Sequence, residues 1–168
     1  MKDEHLKLDA DKTYRLVFQT TCGDFTVTLD QKTSPNATGS LVSLAQRGFF
    51  DDTFFHRIVP GFVIQGGDPT GTGTGGPGYS TQDKVPQNAS YVHGVVAMAK
   101  SGAEPPGTAG SQFFVVTGAD ASLPPDYAVV GKVTDGLDVV DVIGKLGDPT
   151  TEQPTRSIVI SKVKVETS

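Results

Sequence analysis

Two runs of alternating apolar and polar residues near the start of the chain predict a β-hairpin. The runs cover residues 14–18 and 25–29, and their apolar members are aromatic or branched side chains. Alternation with a period of two suits a strand that buries one face. The residues Cys22-Gly23-Asp24 lie between the runs and are typical of a short turn.

The pattern then changes to that of a helix over residues 35–47. Ser34 is a favoured N-cap residue, and Pro35 suits the first helical position. Leucines recur at helical spacing inside the segment. Gly48 stands where a helix-terminating glycine belongs.

The rest of the chain is dominated by short, continuous apolar runs, which are typical of strands buried on both faces. Strands are predicted over residues 55–59, 62–65, 95–99, 113–117, 128–133 and 158–165, and a second helix over residues 137–146. With the hairpin this makes a mainly β chain of eight strands and two helices. Short strands separated by turn signals suggest a closed barrel or a sandwich.

A length of 168 residues predicts one domain. We assign residues 1–12 to a charged N-terminal lead-in and residues 13–168 to the domain. Eight of the 20 glycines lie within residues 61–78, and eight of the 11 prolines within residues 60–125. The middle of the chain is therefore expected to be rich in loops.

Charge and hydropathy exclude several classes of partner. The net charge of −5 and the lack of a basic block disfavour nucleic acid binding. No apolar run is long enough for a membrane span, and the first residues lack the apolar stretch of a signal peptide. We expect a cytoplasmic monomer, or an extracytoplasmic protein if an export leader preceded this chain.

Two short motifs suggest chemistry that their context does not favour. Residues 71–76 match the G-x-G-x-x-G pattern of dinucleotide-binding loops, but the residues that follow do not begin a helix. A hydrolase built on Ser111 lacks a separate Asp-His pair to orient a base. The histidines and Cys22 have no metal-ligand spacing, so neither a metal nor a cofactor is predicted.

An arginine inside an apolar strand pattern requires an explanation, because a buried unpaired charge is unfavourable. Arg57 lies between Phe55 and Ile58, and on a regular strand it shares a face with Phe55. One interpretation is a surface arginine paired with a carboxylate. Likewise, composition alone favours Phe62 and Phe114 as ordinary core residues.

Longer motifs change this interpretation. The segment 55–62 reads FHRIVPGF, and it is followed by QGGD at 65–68, GTGG at 73–76, MA at 98–99, GSQFF at 110–114 and VGKV at 130–133. In order and approximate spacing these motifs resemble the cyclophilin family of peptidyl-prolyl cis-trans isomerases, over about residues 14–166. The resemblance implies a closed eight-stranded antiparallel β-barrel capped by two α-helices.

The resemblance also implies a set of site residues. Its catalytic arginine, proline-pocket phenylalanines and backbone-binding glutamines correspond to Arg57, Phe62, Gln65, Gln112 and Phe114. Further substrate-binding positions correspond to Val63, Gly73, Ala99, Lys100, Ser101, Ser122, Leu123 and Tyr127. The implied partners are proline-containing peptides and unfolded protein chains, without a cofactor.

Three positions depart from the familiar eukaryotic pattern and predict a bacterial-like member. Ser122 stands where tryptophan is common, Tyr127 where histidine is common and Val63 where methionine is common. Because that tryptophan contacts cyclosporin in the family, we expect cyclosporin to bind weakly.

The leading hypothesis is an enzyme that isomerises X-Pro bonds and assists protein folding. A cyclophilin-like module that binds proline-containing segments with little catalysis is the alternative, and a general holdase or structural protein is a third. The presence of Arg57 together with Gln65 and Gln112 favours the enzyme.

Overall fold

The structure is a computed structural model that describes residues 7–168. Within these residues the chain forms eleven strands and two helices. The strands are β1 (Tyr14–Thr20), β2 (Gly23–Leu29), β3 (Thr53–Phe54), β4 (Arg57–Val59), β5 (Val63–Gly66), β6 (Thr81–Gln82), β7 (Val95–Met98), β8 (Thr108–Ala109), β9 (Phe113–Val116), β10 (Val129–Asp135) and β11 (Val159–Thr167). The helices are α1 (Pro35–Gln46) and α2 (Leu137–Gly144). The mainly β class with two helices is confirmed, whereas β6 and β8 are too short to leave a periodic signal.

The predicted hairpin is confirmed as β1 and β2, which pair antiparallel with Phe18 opposite Phe25. Their rings stack with centroids 4.8 Å apart, and both are buried. The turn is formed by Thr21 and Cys22, one residue earlier than the turn signal suggested, because Gly23 already pairs with Thr20.

The prediction of a closed eight-stranded barrel is wrong in both the number of strands and the closure of the sheet. Nine strands form one curled antiparallel sheet in the order β3-β11-β1-β2-β10-β7-β9-β5-β4, and β6 and β8 form a separate pair. The predicted strand 55–59 is interrupted at Phe55 and His56, where the backbone changes partner from β11 to β5. The two edges of the sheet, β3 and β4, are therefore joined through the chain rather than by a ladder.

Helix α1 begins at Pro35 as predicted, but Ser34 is not its side-chain cap. The Ser34 hydroxyl instead donates to the Val129 carbonyl at 2.6 Å. The buried carboxylate of Asp83 accepts from the backbone N–H groups of Asn36 and Ala37, at 3.0 and 2.8 Å. A distant acid thus satisfies the first-turn donors and complements the helix dipole.

Helix α2 ends at Gly144, two residues before the predicted end. Lys145 and Leu146 continue only as a tighter turn, in which their N–H groups donate to the carbonyls of Val142 and Ile143. Gly144 lies against Thr117, where a Cβ atom would approach the Thr117 side chain to 3.0 Å.

The continuous apolar runs are explained by two hydrophobic clusters on opposite faces of the sheet. Phe113 and Val115 of β9 belong to the inner cluster beneath the helices. Phe114 and Val116 belong to an outer cluster that also contains Tyr91. Burial on both faces removes the polar alternation that a half-buried strand shows. The outer cluster creates an apolar surface outside the sheet.

Part of the assigned lead-in lies outside the described residues, which begin at residue 7. Beyond that point the segment contacts the domain, since Gln31 Nε2 donates to the carbonyls of Asp9 and Lys12 at 3.0 and 2.8 Å. Within residues 7–168, neither helix has the length and apolar character needed to cross a membrane.

Candidate active site

A groove of about 570 Å³ opens on the outer face of the sheet, above β4, β5 and β9. Ten of the predicted site residues line it: Arg57, Phe62, Val63, Gln65, Gly73, Ala99, Lys100, Phe114, Leu123 and Tyr127. The tertiary structure therefore brings together residues from five separate segments of the chain.

Three predicted residues do not line this groove. Gln112 and Ser101 line an adjacent cavity of about 630 Å³, which shares Gln65, Gly73, Ala99 and Lys100 with the groove. Ser122 lines neither cavity. Its side chain is exposed, its φ is +54°, and its N–H is held by the carboxylate of Asp120 at 2.8 Å. This local turn directs the chain so that Ser122 does not contribute to the groove wall.

An aromatic pocket forms the apolar part of the groove. Phe114 meets Tyr127 edge to face, with ring centroids 5.5 Å apart. The hydroxyl of buried Tyr91 donates to the Tyr127 carbonyl at 2.7 Å and accepts from the Tyr127 N–H at 3.1 Å. Burial raises the pKa of Tyr91, so the phenol remains a neutral donor. The Phe114 ring thus packs against two tyrosine rings whose residues are hydrogen-bonded to one another, and the rings of Phe114 and Tyr127 form part of the apolar wall of the groove.

A row of hydrogen-bonded polar side chains runs beside this pocket. Arg57 Nη1 donates to Gln65 Oε1 at 3.2 Å, and Gln65 Nε2 donates to Gln112 Oε1 at 3.0 Å. The register of β4 and β5 explains the first bond, because Arg57 lies opposite Gln65, and Gln65 in turn lies opposite Phe114, two residues after Gln112. Cross-strand neighbours project from the same face of a sheet.

The glycine-rich segment forms a loop that is organised by one buried carboxylate. Asp68, 1% exposed, accepts from the Thr70 N–H and hydroxyl and from the N–H groups of Gly73 and Gly75. Burial opposes its ionisation, but these hydrogen bonds outweigh that effect and lower the pKa of Asp68 to about 2. A Cβ atom at Gly75 would overlap this carboxylate.

The loop in turn positions Gln112. Gln112 Nε2 donates to the carbonyls of Gly73 and Gly75, at 2.9 and 3.0 Å. The excess of glycine in this region therefore serves close backbone contacts around Asp68 and Gln112.

Phe55 and Arg57 do not share a face, contrary to the strand pattern. Phe55 is fully buried in the inner cluster, whereas Arg57 lies in the groove. Because the strand is interrupted at His56, the side chains before and after it do not follow one alternation between the two faces of the sheet. His56 also lines the groove; burial lowers its pKa, Arg57 acts in the same direction, and Asp68 and Gln112 oppose the shift.

The groove also contains residues that the sequence did not indicate: Thr72, Thr151, Glu152 and Gln153. The carboxylate of Glu152 accepts from Arg57 Nε at 2.9 Å. The carboxylate partner considered for a surface arginine therefore exists, but it lies inside the groove. No spacing signal could reveal it, because the two residues are 95 positions apart.

Comparison with known proteins identifies the architecture around this groove. The family model for cyclophilin type peptidyl-prolyl cis-trans isomerases matches residues 15–165. The chain belongs to the cyclophilin family. It is 35% identical to a peptidyl-prolyl cis-trans isomerase of Arabidopsis thaliana, covering 89% of this chain and 92% of that protein. It is 36% identical to peptidyl-prolyl cis-trans isomerase-like 1 of Aspergillus fumigatus, covering 89% and 94%.

Solved cyclophilin structures show the same fold. A crystal structure of a cyclophilin type isomerase from Cryptosporidium parvum superposes with a TM-score of 0.84 at 31% identity, covering 92% of this chain and 98% of that one. A second structure of that protein, determined in the presence of the dipeptide Ala-Pro, gives 0.83 at 30% identity, covering 90% and 98%. Family membership makes the chain a peptidyl-prolyl cis-trans isomerase. These eukaryotic relatives do not support the expectation of a bacterial-like cyclophilin.

Proposed function

We propose that the groove binds an X-Pro segment of a peptide or unfolded protein chain and stabilises its twisted amide. The observation that carries this proposal is the polar row of Arg57, Gln65 and Gln112 beside the aromatic pocket of Phe114 and Tyr127. The cyclophilin crystallised in the presence of Ala-Pro supports a proline-containing ligand.

The reaction needs no bond to be broken, only the loss of amide resonance in the twisted state. The uncatalysed barrier is about 18–20 kcal/mol, which gives times of tens to hundreds of seconds. Raising the rate from ~0.05 to roughly 10³ per second lowers that barrier by about 6 kcal/mol. The site must therefore bind the twisted amide better than the planar one.

Arg57 is suited to this differential binding. Its Nε and one Nη1 hydrogen are engaged by Glu152 and Gln65, which fix the plane of the guanidinium. Nη2 has no hydrogen-bond partner within residues 7–168. Its donors are free to bind the substrate carbonyl oxygen, and to approach the proline nitrogen as that nitrogen becomes pyramidal.

The remaining residues hold the substrate while one bond rotates. Phe62, Phe114 and Leu123 would enclose the proline ring, and Val63 would form the pocket floor. Gln65 and Gln112 would bind the neighbouring backbone. Restricting motion to a single torsion converts binding energy into a lower rotational barrier.

The proposal is tested with exchange NMR on a short Ala-Pro peptide at catalytic protein concentration. We expect new exchange cross-peaks between the cis and trans resonances, because the enzyme shortens isomerisation to milliseconds. A binding module would shift the peptide resonances without producing these cross-peaks. That result would exclude catalysis at this groove and favour the alternative function.

We also expect weak inhibition by cyclosporin. Ser122 occupies the position of the tryptophan that contacts this ligand in the family, and its exposed side chain lines neither cavity. The measurement is the inhibition constant in the isomerase assay. A nanomolar constant would contradict the prediction.

A further inference from the structure

Glu152 lies in a backbone conformation that is unfavourable for its residue type. It follows α2 in the loop that returns to β11, and its φ is +62°, in the left-handed region that favours glycine. Its N–H donates to the Asp148 carbonyl at 2.8 Å, and its carbonyl accepts from the Ile58 N–H at 2.9 Å. The loop is thus bonded to β4 directly beside Arg57.

Among residues 7–168, the side chain of Glu152 makes one hydrogen bond, with Arg57. Oε1 accepts from Nε at 2.9 Å, with the two side chains 37% and 42% exposed. Such a charge-assisted bond at a solvent-accessible groove adds little stability, since exposed ion pairs are weak. It does restrict the guanidinium, because the planar group can no longer turn freely once Nε is bonded to Glu152 and Nη1 to Gln65.

We propose that Glu152 is a positioning residue that orients the Arg57 guanidinium for the twisted amide. The proposal rests on the function proposed for Arg57 and adds a residue that only the tertiary structure brings to the site. Gln65 bonds Nη1 from one side and Glu152 bonds Nε from the other. Together they select one orientation of an otherwise flexible side chain, which removes an entropic cost from the transition state.

Substitution by glycine separates positioning from folding. Glu152→Gly removes the carboxylate and also relieves the left-handed strain, so the fold is expected to be as stable as that of the wild type or more stable. We expect kcat to fall by roughly tenfold with KM little changed, because the lost contact orients a group that acts in the transition state. The rates come from exchange NMR, and stability comes from thermal unfolding.

Two further variants sharpen the test. Glu152→Gln keeps an oxygen that can accept from Arg57 Nε, so we expect it to restore at least half of the wild-type kcat. Asp52→Gly is a matched control, because Asp52 also has a φ of +62°, is exposed and lines neither cavity. It makes the same change of backbone and charge away from the groove, and its kcat should stay at the wild-type value.

A spectroscopic readout reports the contact itself. The Arg57 Nε–H resonance should shift and exchange faster with solvent in Glu152→Gly, and it should remain protected in Glu152→Gln. Wild-type kcat in Glu152→Gly, or equal losses in Glu152→Gly and Glu152→Gln, would overturn the positioning role. If the positioning role fails but Arg57→Ala loses activity in the same experiments, the function proposed for Arg57 still holds. If Arg57→Ala keeps its activity, both proposals fail.

Discussion

Arg57→Ala is expected to lower kcat/KM for an X-Pro peptide by about a hundredfold or more while the protein remains folded. Removing one donor that stabilises charge in a transition state reduces rates by roughly 10²–10³. The Arg57 side chain is 37% exposed and belongs to neither hydrophobic cluster, so its loss leaves no cavity. Exchange NMR gives the rate, and circular dichroism with thermal unfolding reports the fold.

Arg15→Ala is the matched control for this variant. Arg15 lies on β1, its side chain bonds to Ser168 among the residues that the structure describes, and it lines neither cavity. The Arg15→Ala substitution removes the same positive charge from the surface, and we expect this variant to keep wild-type activity. Activity of Arg57→Ala within about threefold of the wild type would exclude Arg57 from the role proposed here.

Asp68→Asn is expected to lower the free energy of unfolding by roughly 2–4 kcal/mol, since a buried charged acceptor holds four donors. The asparagine amide would direct an N–H group toward the N–H groups of Gly73 and Gly75. The loop that positions Gln112 would then loosen, so kcat/KM should fall as well. Urea denaturation and the isomerase assay measure the two effects.

The exposed Asp120 provides the comparison. It accepts one backbone hydrogen bond, from Ser122, so Asp120→Asn should change stability by less than about 0.5 kcal/mol. Equal stability of the Asp68→Asn and wild-type proteins would contradict the organising role of Asp68.

Acid unfolding gives an independent check on the same carboxylate. The pKa of Asp68 is about 2 in the folded protein, below its ordinary value of 3.8. Its contribution is therefore fully present above about pH 4 and is lost as the pH falls toward 2. The shift corresponds to about 2 kcal/mol. Between pH 5 and 2, the wild type should lose more stability than Asp68→Asn, and parallel curves would contradict the shift.

Local patterns predicted the elements because neighbouring residues determine them. The alternation around Phe18 and Phe25 required a half-buried hairpin, and the continuous runs at β7 and β9 required strands buried on both faces. Helix α1 was likewise predicted from its own residues. Its cap was not, because Asp83 reaches the first turn from 46 or more positions away along the chain.

The residues of the groove also differ in whether a local sequence pattern could predict them. The motifs around Arg57, Gln65 and Gln112 identified the family and most of the lining residues, because those segments carry long and specific patterns. Glu152 could not be found, since its neighbours form no motif and its partner is 95 positions distant. Ser122 was placed in the groove by correspondence alone, and the left-handed turn at that residue places it elsewhere.

The sequence by itself therefore established the family, the order of the two helices and the longer strands, and most of the residues that line the groove. Only the tertiary structure showed that β3 and β4 are unpaired sheet edges. It also showed that Asp83 caps α1, that Asp68 orders the glycine-rich loop and that Glu152 is the partner of Arg57. The physical reason is that periodicity and turn preference act over a few residues. Hydrogen bonds between side chains depend instead on how distant segments meet, and that is determined only when the sheet curls and brings its edges together.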